Sequence, residues 1–350
     1  MKRPLSPRAV AAIVLLLSAT AATGLILALG HAPDTGVRRR ELVIYSPHPR
    51  ETTDYIVREF RQRTGIRVTV IAAGTGELIS RMKERGRQNE ADVFWGGGVE
   101  SLETVAEHFA PYESPEDAAI RAEYKAPHNL WKPFSVLPAV IIYNENLVPK
   151  DRIPSSWADL LDPWFRNRII MADPEKSGSS FTILATLLLT MGNRGQNLFS
   201  GWDYVEKLAG QLGPGGVSAS SSEVYRAVAS GDFYAGITYE NYVLSLMKTG
   251  SSIGYCYPEE GTSAVPDGIA LMRNARNRAE AEQFIDFVLS KDVQSLLSAR
   301  WQRRPVRTDT GVTDATIKDI MFIRYPVAEA AAERDAILAR WASLYAPYRP

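Results

Sequence analysis

Hydrophobic and polar positions follow a repeated order along this chain: a short apolar run, a polar loop, and then an amphipathic segment. The first apolar run covers residues 42–45 and leads into the polar elbow Ser46-Pro47-His48-Pro49. The second run, residues 68–71, ends in Gly74-Thr75-Gly76, and a third ends in Gly96-Gly97-Gly98. Strand, loop and helix repeated in this way predict a parallel sheet covered on both faces.

A second unit of the same kind begins after residues 136–138, where a strongly apolar strand, residues 139–144, follows a proline. The loop Ser177-Gly178-Ser179-Ser180 then comes after another strand and opens a long apolar helix. The pattern therefore predicts an α/β fold of two lobes, with a ligand cleft between them.

The predicted lobes are discontinuous in sequence. The first comprises residues 41–137 and 265–350, and the second comprises residues 138–264. We expect the final segment, residues 313–350, to be helical and to pack on the first lobe. A hinge at the crossovers would allow the lobes to close.

Residues 1–32 have the pattern of an export segment. Lys2, Arg3 and Arg8 precede an apolar run over residues 9–30 that ends near small residues. This order is typical of a secretory signal peptide. The run also approaches the length that spans a bilayer, so an uncleaved signal-anchor is the alternative. Both interpretations place the body of the protein outside the cytoplasm, which in a bacterium with two membranes is the periplasm.

Composition excludes several classes of function. The 350 residues contain 40 Lys and Arg against 40 Asp and Glu, so net charge gives no reason to expect a nucleic-acid partner. Cys256 is the single cysteine, which excludes an intrachain disulfide framework and a multi-cysteine metal site. With four histidines and no HExxH spacing, we expect neither a metal centre nor a cofactor.

The candidate ligand-binding residues follow predicted strands and open predicted helices. In an open α/β sheet ligands bind at the carboxyl ends of the strands, and helix amino-termini present unpaired N–H groups to anions. Gly74-Thr75-Gly76 matches no nucleotide-binding motif. The candidates in these loops are Ser46, His48, Thr75, Gly76, Gly97, Ser177, Ser179 and Ser180. Two further candidates, Tyr239 and Glu240, end a later buried strand.

Five segments taken together resemble the bacterial extracytoplasmic solute-binding proteins of ABC importers, in the family-1 group with ferric-iron and hexose-phosphate binders. The segments read VIYSPHP, TGIRVTVIAAGTGEL, IPSSWADLLDP, DPEKSGSS and FIDFVLSKDVQ, within about residues 41–310. The resemblance implies a two-lobed periplasmic-binding fold of type II that closes on a small solute. It also implies a membrane permease as partner, a monomeric state and no catalysis.

The resemblance also guides the choice of ligand. Ferric binders of the group use two adjacent tyrosines near Tyr239, whereas here Glu240 follows Tyr239 and the next tyrosine is Tyr242. A glycine-rich turn occupies the place of a metal-ligating glutamate. We therefore expect a sugar phosphate or other organophosphate, with phosphate on the hydroxyl and amide loops and with His48 and Glu240 binding hydroxyls.

Three alternatives remain open at the sequence level. One is a ferric-iron-binding protein of an importer, and another is a membrane-anchored receptor that reports ligand occupancy to a sensor. The third is a hydrolase that uses Ser179 or Ser180 with His48. The hydrolase is not favoured, because the chain has no GxSxG motif and no carboxylate placed to orient the imidazole.

Overall fold

The computed structural model describes residues 40–192, 198–311 and 320–349. The predicted export segment therefore lies outside the described residues. Within the described ranges, every helix is too short or too polar to cross a membrane.

The first sheet has six strands in the order β11-β4-β10-β3-β1-β2. β1 pairs in parallel with both β2 and β3, as the repeated strand and helix pattern predicts. β10 runs antiparallel between β3 and β4, and β11 is antiparallel to β4, so the sheet is mixed rather than parallel throughout. The strands are β1 (Glu41–Ser46), β2 (Arg67–Ala72), β3 (Val93–Gly98), β4 (Lys132–Val136), β10 (Pro266–Leu271) and β11 (Arg304–Pro305).

The second sheet has five strands in the order β7-β6-β8-β5-β9. It is also mixed, because β5 is antiparallel to β8 and β9 whereas β6 is parallel to β7 and β8. The strands are β5 (Ala139–Asn144), β6 (Ile169–Ala172), β7 (Val217–Ser218), β8 (Ala235–Tyr239) and β9 (Ile253–Cys256).

Helices connect the strands and cover both sheets, while short 3-10 turns occupy several loops. After β3 the helix Val99–Glu103 is short, and a separate 3-10 turn follows it at Ala106–His108. The helices are α1 (Arg50–Thr64), α2 (Thr75–Arg85), α3 (Val99–Glu103), α4 (Gly178–Thr190), α5 (Trp202–Leu212), α6 (Ser221–Ser230), α7 (Glu240–Lys248), α8 (Arg278–Leu289), α9 (Lys291–Trp301), α10 (Val327–Ala332) and α11 (Arg334–Tyr345).

Each sheet carries buried apolar clusters made with its covering helices. Ile56 and Phe60 of α1 pack in one cluster of the first sheet, and Leu78 of α2 packs in another. Around the second sheet, Phe181 of α4 and Val224 of α6 belong to two further clusters. The period of 3.6 residues places such positions on one face of each helix, which explains why the helices lie against the strands.

The carboxyl-terminal segment divides between the two sheets. α10 contacts α3, beside the first sheet, as expected for a segment assigned to the first lobe. In α11, by contrast, Ile337, Trp341 and Tyr345 lie in the buried cluster of the second sheet. Since these residues recur every four positions, they form one apolar stripe, and that stripe covers α5 instead of the first lobe.

Candidate functional site

A cavity of about 240 Å³ lies where loops from both sheets meet. Most of its lining comes from the loops that follow β1, β2, β6 and β7 and from Gly97 near the end of β3, so it is at the strand ends where α/β sheets bind ligands. The lining residues are Pro47, His48, Pro49, Arg50, Gly74, Thr75, Gly97, Leu137, Lys176, Ser177, Gly178, Ser179, Ala219, Ser220, Ser221, Ser222, Arg226, Tyr242 and Asp267.

The amino ends of α1, α2, α4 and α6 all border this cavity. The residues that precede α1, α2 and α6, which are Pro49, Gly74 and Ser220, accept no capping hydrogen bond from the first backbone N–H groups of these helices through a side chain. The first N–H groups of a helix have no partner within it, and they carry the positive end of its dipole. Four helix starts directed at one small cavity therefore create a site with positive potential.

The charged side chains of the lining, like the helix starts, make the cavity positive. Lys176 and Arg226 line the cavity, and neither forms an ion pair with a carboxylate of the described residues. The carboxylate in the lining, Asp267, is already paired with the buried guanidinium of Arg303. The cavity consequently has more positive than negative charge available to a ligand.

His48 is a neutral member of the site. Its ring packs 4.7 Å from the Trp95 ring and 5.5 Å from the Phe134 ring, and 7% of the residue is exposed. Burial, and secondarily the positive charge of Arg303, hold the pKa of the His48 imidazole well below its ordinary value. His48 can therefore exchange hydrogen bonds with a ligand, but it does not supply a positive charge.

Gly96 explains how the imidazole fits against β3. Its φ is +117°, and a Cβ at this position would lie 2.9 Å from Nε2 of His48. That nitrogen is buried and has no hydrogen-bond partner among the described residues. A side chain at position 96 would therefore displace the ring and strain the backbone together.

Five of the ten predicted site residues line the cavity: His48, Thr75, Gly97, Ser177 and Ser179. Ser177 both caps α4, by accepting from the Ser180 amide, and lies with its Oγ 2.8 Å from Oγ of Ser221. This contact joins the start of α4 to the start of α6. A role of these five residues in ligand binding stays a prediction.

Two of the predicted serines are fully buried and bind backbone instead. Ser46 Oγ donates to the carbonyl of Trp95 at 2.8 Å and accepts from the His48 amide at 3.3 Å. Ser180 Oγ donates to the carbonyl of Ala172. Both hydroxyls hold the site loops in place, because Ser46 lies at the end of β1 and Ser180, in the first turn of α4, bonds to the last residue of β6.

Gly76 lies outside the cavity lining, at a contact between the two lobes. A Cβ on Gly76 would come within 2.9 Å of the Glu175 carbonyl oxygen, and one on Gly74 within 2.7 Å of the Lys176 carbonyl oxygen. The two glycines thus allow the loop after β2 to meet the loop after β6. Their absence of side chains serves the approach of the lobes.

Tyr239 and Glu240 also lie outside the lining. Tyr239 is buried, and its hydroxyl donates to the Ser179 carbonyl at 3.1 Å, so it supports a site loop from behind. The sequence predicted that Glu240 binds hydroxyl groups of the ligand. Both of its oxygens instead accept from Arg304 at 2.7 Å, and the Tyr257 hydroxyl donates to one of them.

Sequence reasoning missed part of the second-lobe wall. Ser220, Ser221 and Ser222 line the cavity, and none of them is among the predicted site residues. Their signal was a serine-rich helix start after a strand, which is the same signal that identified Ser177. Arg226 lies one turn further along α6, and Asp267 comes from a strand interior, where no local pattern marks it.

The described residues hold no group of three or more His, Cys, Asp or Glu side chains close enough to bind a metal ion. Burial raises the pKa of both Tyr239 and Tyr242. The unpaired cationic side chains of the lining make the cavity attractive to anions.

The chain is similar in sequence to known solute-binding proteins. The profile of a family described as bacterial extracellular solute-binding protein matches residues 98–332. Iron uptake protein A1 of Synechocystis is 25% identical over 325 residues, which are 87% of this chain and 88% of that protein. A putative 2-aminoethylphosphonate-binding periplasmic protein of Salmonella typhimurium is 25% identical over 295 residues, or 81% and 84% of the two chains.

A solved structure has the same fold. The periplasmic binding protein AfuA from Actinobacillus pleuropneumoniae, with exogenous fructose-6-phosphate bound, matches with a TM-score of 0.80 at 24% identity. The match covers 88% of this chain and 99% of AfuA. It confirms the predicted two-lobed periplasmic-binding fold.

Proposed function

This chain belongs to the bacterial extracellular solute-binding proteins, and we propose that it is the substrate-binding component of an ABC importer for a small phosphorylated solute. The solute is a sugar phosphate or another organophosphate. The protein captures it outside the cytoplasm and delivers it to a membrane permease, without chemical change.

One observation carries the choice of ligand: four helix starts, five serines and two unpaired cationic side chains border one cavity. Backbone N–H groups at helix starts, together with hydroxyls and guanidinium, bind phosphate through many short hydrogen bonds. A phosphoryl group would lie against Ser177, Ser179 and Ser221, and Arg226 would neutralise part of its charge. The relatives named for 2-aminoethylphosphonate and bound to fructose-6-phosphate support the same chemistry.

Lobe closure supports selective capture. The lining residues come from both lobes, so a ligand that bridges the two walls would stabilise the closed arrangement. Gly74 and Gly76 allow the loops on either side to meet at the cavity edge. The remainder of the solute would contact His48, whose neutral imidazole suits hydroxyl or amine groups.

Ligand screening by thermal unfolding and calorimetry tests the proposal. We expect fructose 6-phosphate, 2-aminoethylphosphonate or inorganic phosphate to raise the melting temperature of the full chain, and ferric citrate to leave it unchanged. A ligand at ~100 times its Kd stabilises a protein by about 2.7 kcal/mol, which a melting curve resolves. A shift with ferric citrate alone, accompanied by a tyrosinate absorption band, would instead support an iron carrier like the Synechocystis relative.

Substitution of Arg226 tests the anion site directly. We expect Arg226→Met to weaken phosphate binding by about 1.5–3 kcal/mol, the range for a hydrogen bond to a charged group. Lys207→Met is the matched control, because Lys207 is an exposed cation of α5 outside the cavity lining. Equal Kd values for both variants and the unmodified chain would contradict the proposed site.

A further inference from the structure

A second cavity, of about 290 Å³, adjoins the first. The two cavities share Pro49, Arg226 and Tyr242 in their linings, so these residues lie at the boundary between them. The second cavity extends from the start of α1 to α7, and Trp301 and Arg303 also line it. A ligand group attached to a phosphate in the first cavity has this space next to it.

The walls of the second cavity are aromatic. The rings of Tyr225 and Tyr242 stack at 4.7 Å with an interplanar angle of 18°, and Trp301 and Leu246 also line the space. A larger share of its lining is apolar than in the first cavity, where polar and apolar surface are about equal. Flat aromatic and apolar walls favour a ring over a small hydrated group.

One polar atom in this cavity lacks a partner. Asn241 is 4% exposed and lines the space, and its buried Oδ1 accepts no hydrogen bond from a described residue. A buried acceptor without a donor is unfavourable, so a ligand N–H or O–H that reaches Asn241 would be strongly selected. This atom distinguishes the space from a purely apolar gap.

Arg226 connects the two spaces chemically. It lies in both linings, and its Cζ is 5.9 Å from the centre of the Tyr225 ring. A guanidinium in this position can donate to a phosphoryl oxygen on one side and lie beside the face of a ring on the other. The arrangement fits a solute whose phosphate and ring are joined by a short link.

We propose that the second cavity is a subsite for the organic part of the solute, and that this part is an aromatic or apolar ring carrying an N–H or O–H donor for Asn241. The inference rests on the proposed function, because it places the phosphate of the same solute in the first cavity. It narrows the organophosphates to phosphorylated ring compounds.

Calorimetry of the full chain with methyl phosphate, phenyl phosphate and 4-aminophenyl phosphate tests the subsite. We expect phenyl phosphate to bind about tenfold more tightly than methyl phosphate, the effect of about one additional aromatic contact. The amino group should tighten binding further, and Asn241→Leu should remove that gain while the affinity for methyl phosphate is kept. Equal affinities for methyl and phenyl phosphate would overturn the subsite but leave the phosphate site intact.

A variant that fills the second cavity provides an independent readout. Ser245→Phe places a ring in the space, and Ser230→Phe, at the exposed end of α6, is the matched control. We expect Ser245→Phe to weaken the binding of phenyl phosphate until its Kd equals that of methyl phosphate. The Kd of methyl phosphate should stay unchanged. If Ser245→Phe weakens both ligands equally, the two spaces are not separate subsites and the inference fails. If none of the phosphates binds the unmodified chain, the proposed function itself fails.

Discussion

Two buried carboxylates, Glu240 and Glu100, join the two lobes in opposite electrostatic states. Glu240 begins α7 of the second lobe and forms a two-point ion pair with Arg304 of β11 in the first sheet. Glu100 lies on α3 of the first lobe and accepts a hydrogen bond from Thr182 of α4 at 2.5 Å. Its second oxygen, Oε2, is buried without a partner among the described residues.

The two carboxylates differ in their ionic partners. Glu240 has a cation against both oxygens. Glu100 has no cation in contact within the described part of the chain, although Arg334 is close enough to act on it electrostatically, and Tyr239, Tyr325 and Asp267 surround the same region. Burial raises the pKa of Glu100 to about 7, against the lowering effect of its hydrogen bond from Thr182. One interlobe connection is therefore an ion pair, whereas the carboxyl group of the other changes its charge near neutral pH.

Removal of the ion pair between Glu240 and Arg304 should have the largest effect. We expect Glu240→Ala to lower the free energy of unfolding by about 3 kcal/mol or more, because it leaves the Arg304 guanidinium largely buried and unpaired. Urea unfolding followed by circular dichroism measures this. The control is Glu282→Ala, which breaks the exposed pair with Arg278 and should cost about 0.5 kcal/mol or less. Similar losses in both variants would show that the buried pair contributes no more than a surface pair.

Glu100→Gln should change how stability depends on pH. The folded-state pKa of Glu100 is raised from 4.5 to about 7, so its contribution is fully present below about pH 4.5 and is lost as pH rises through about 7. The shift corresponds to a loss of about 3 kcal/mol. We therefore expect the Gln variant, which stays neutral, to be more stable than the unmodified protein at pH 8 and to lose that advantage at pH 5.

Urea unfolding of both proteins from pH 4.5 to 8.5 checks this expectation. Asp267, whose pKa is also raised by burial, is present in both chains, so the difference between the two curves isolates Glu100. Parallel curves over the whole range would contradict the assignment of a titrating carboxyl to this position.

The same pair shows what the sequence could and could not predict. The order of strands and helices predicted the two-lobed α/β fold, because periodic burial is a local property of each segment. Glu240 was interpreted as a ligand residue, since its position after a buried strand resembled that of the site loops. Its partner Arg304 is 64 residues away in sequence, so no local pattern could show that both oxygens were occupied.

The serine loops at the cavity also show that local sequence predicts where polar groups lie but not what they contact. Ser177 and Ser179 line the cavity, but Ser180 of the same loop is fully buried. A run of serines at a helix start predicts polar groups at that point, and the direction of each hydroxyl depends on the helix turn. The missed Ser220, Ser221 and Ser222 carry the same local signal, and only the parallel pairing of β6 with β7 brings their loop beside the first.

Thr182→Val tests whether the Glu100 connection is weaker than the ion pair and dependent on charge. The change removes the hydroxyl that donates to Glu100 and keeps the side-chain shape. A hydrogen bond to a charged group contributes about 1.5–3 kcal/mol, and one to a neutral group contributes about 1 kcal/mol. We expect the variant to lose more stability at pH 8.5, where Glu100 is ionised, than at pH 5, where it is protonated.

Thr186→Val, one turn along α4, is the control, because its hydroxyl contacts Ser263 and the Thr182 carbonyl, neither of which titrates. Its loss should be the same at both pH values, and an equal pH dependence in the two variants would remove the distinction between the two carboxylates.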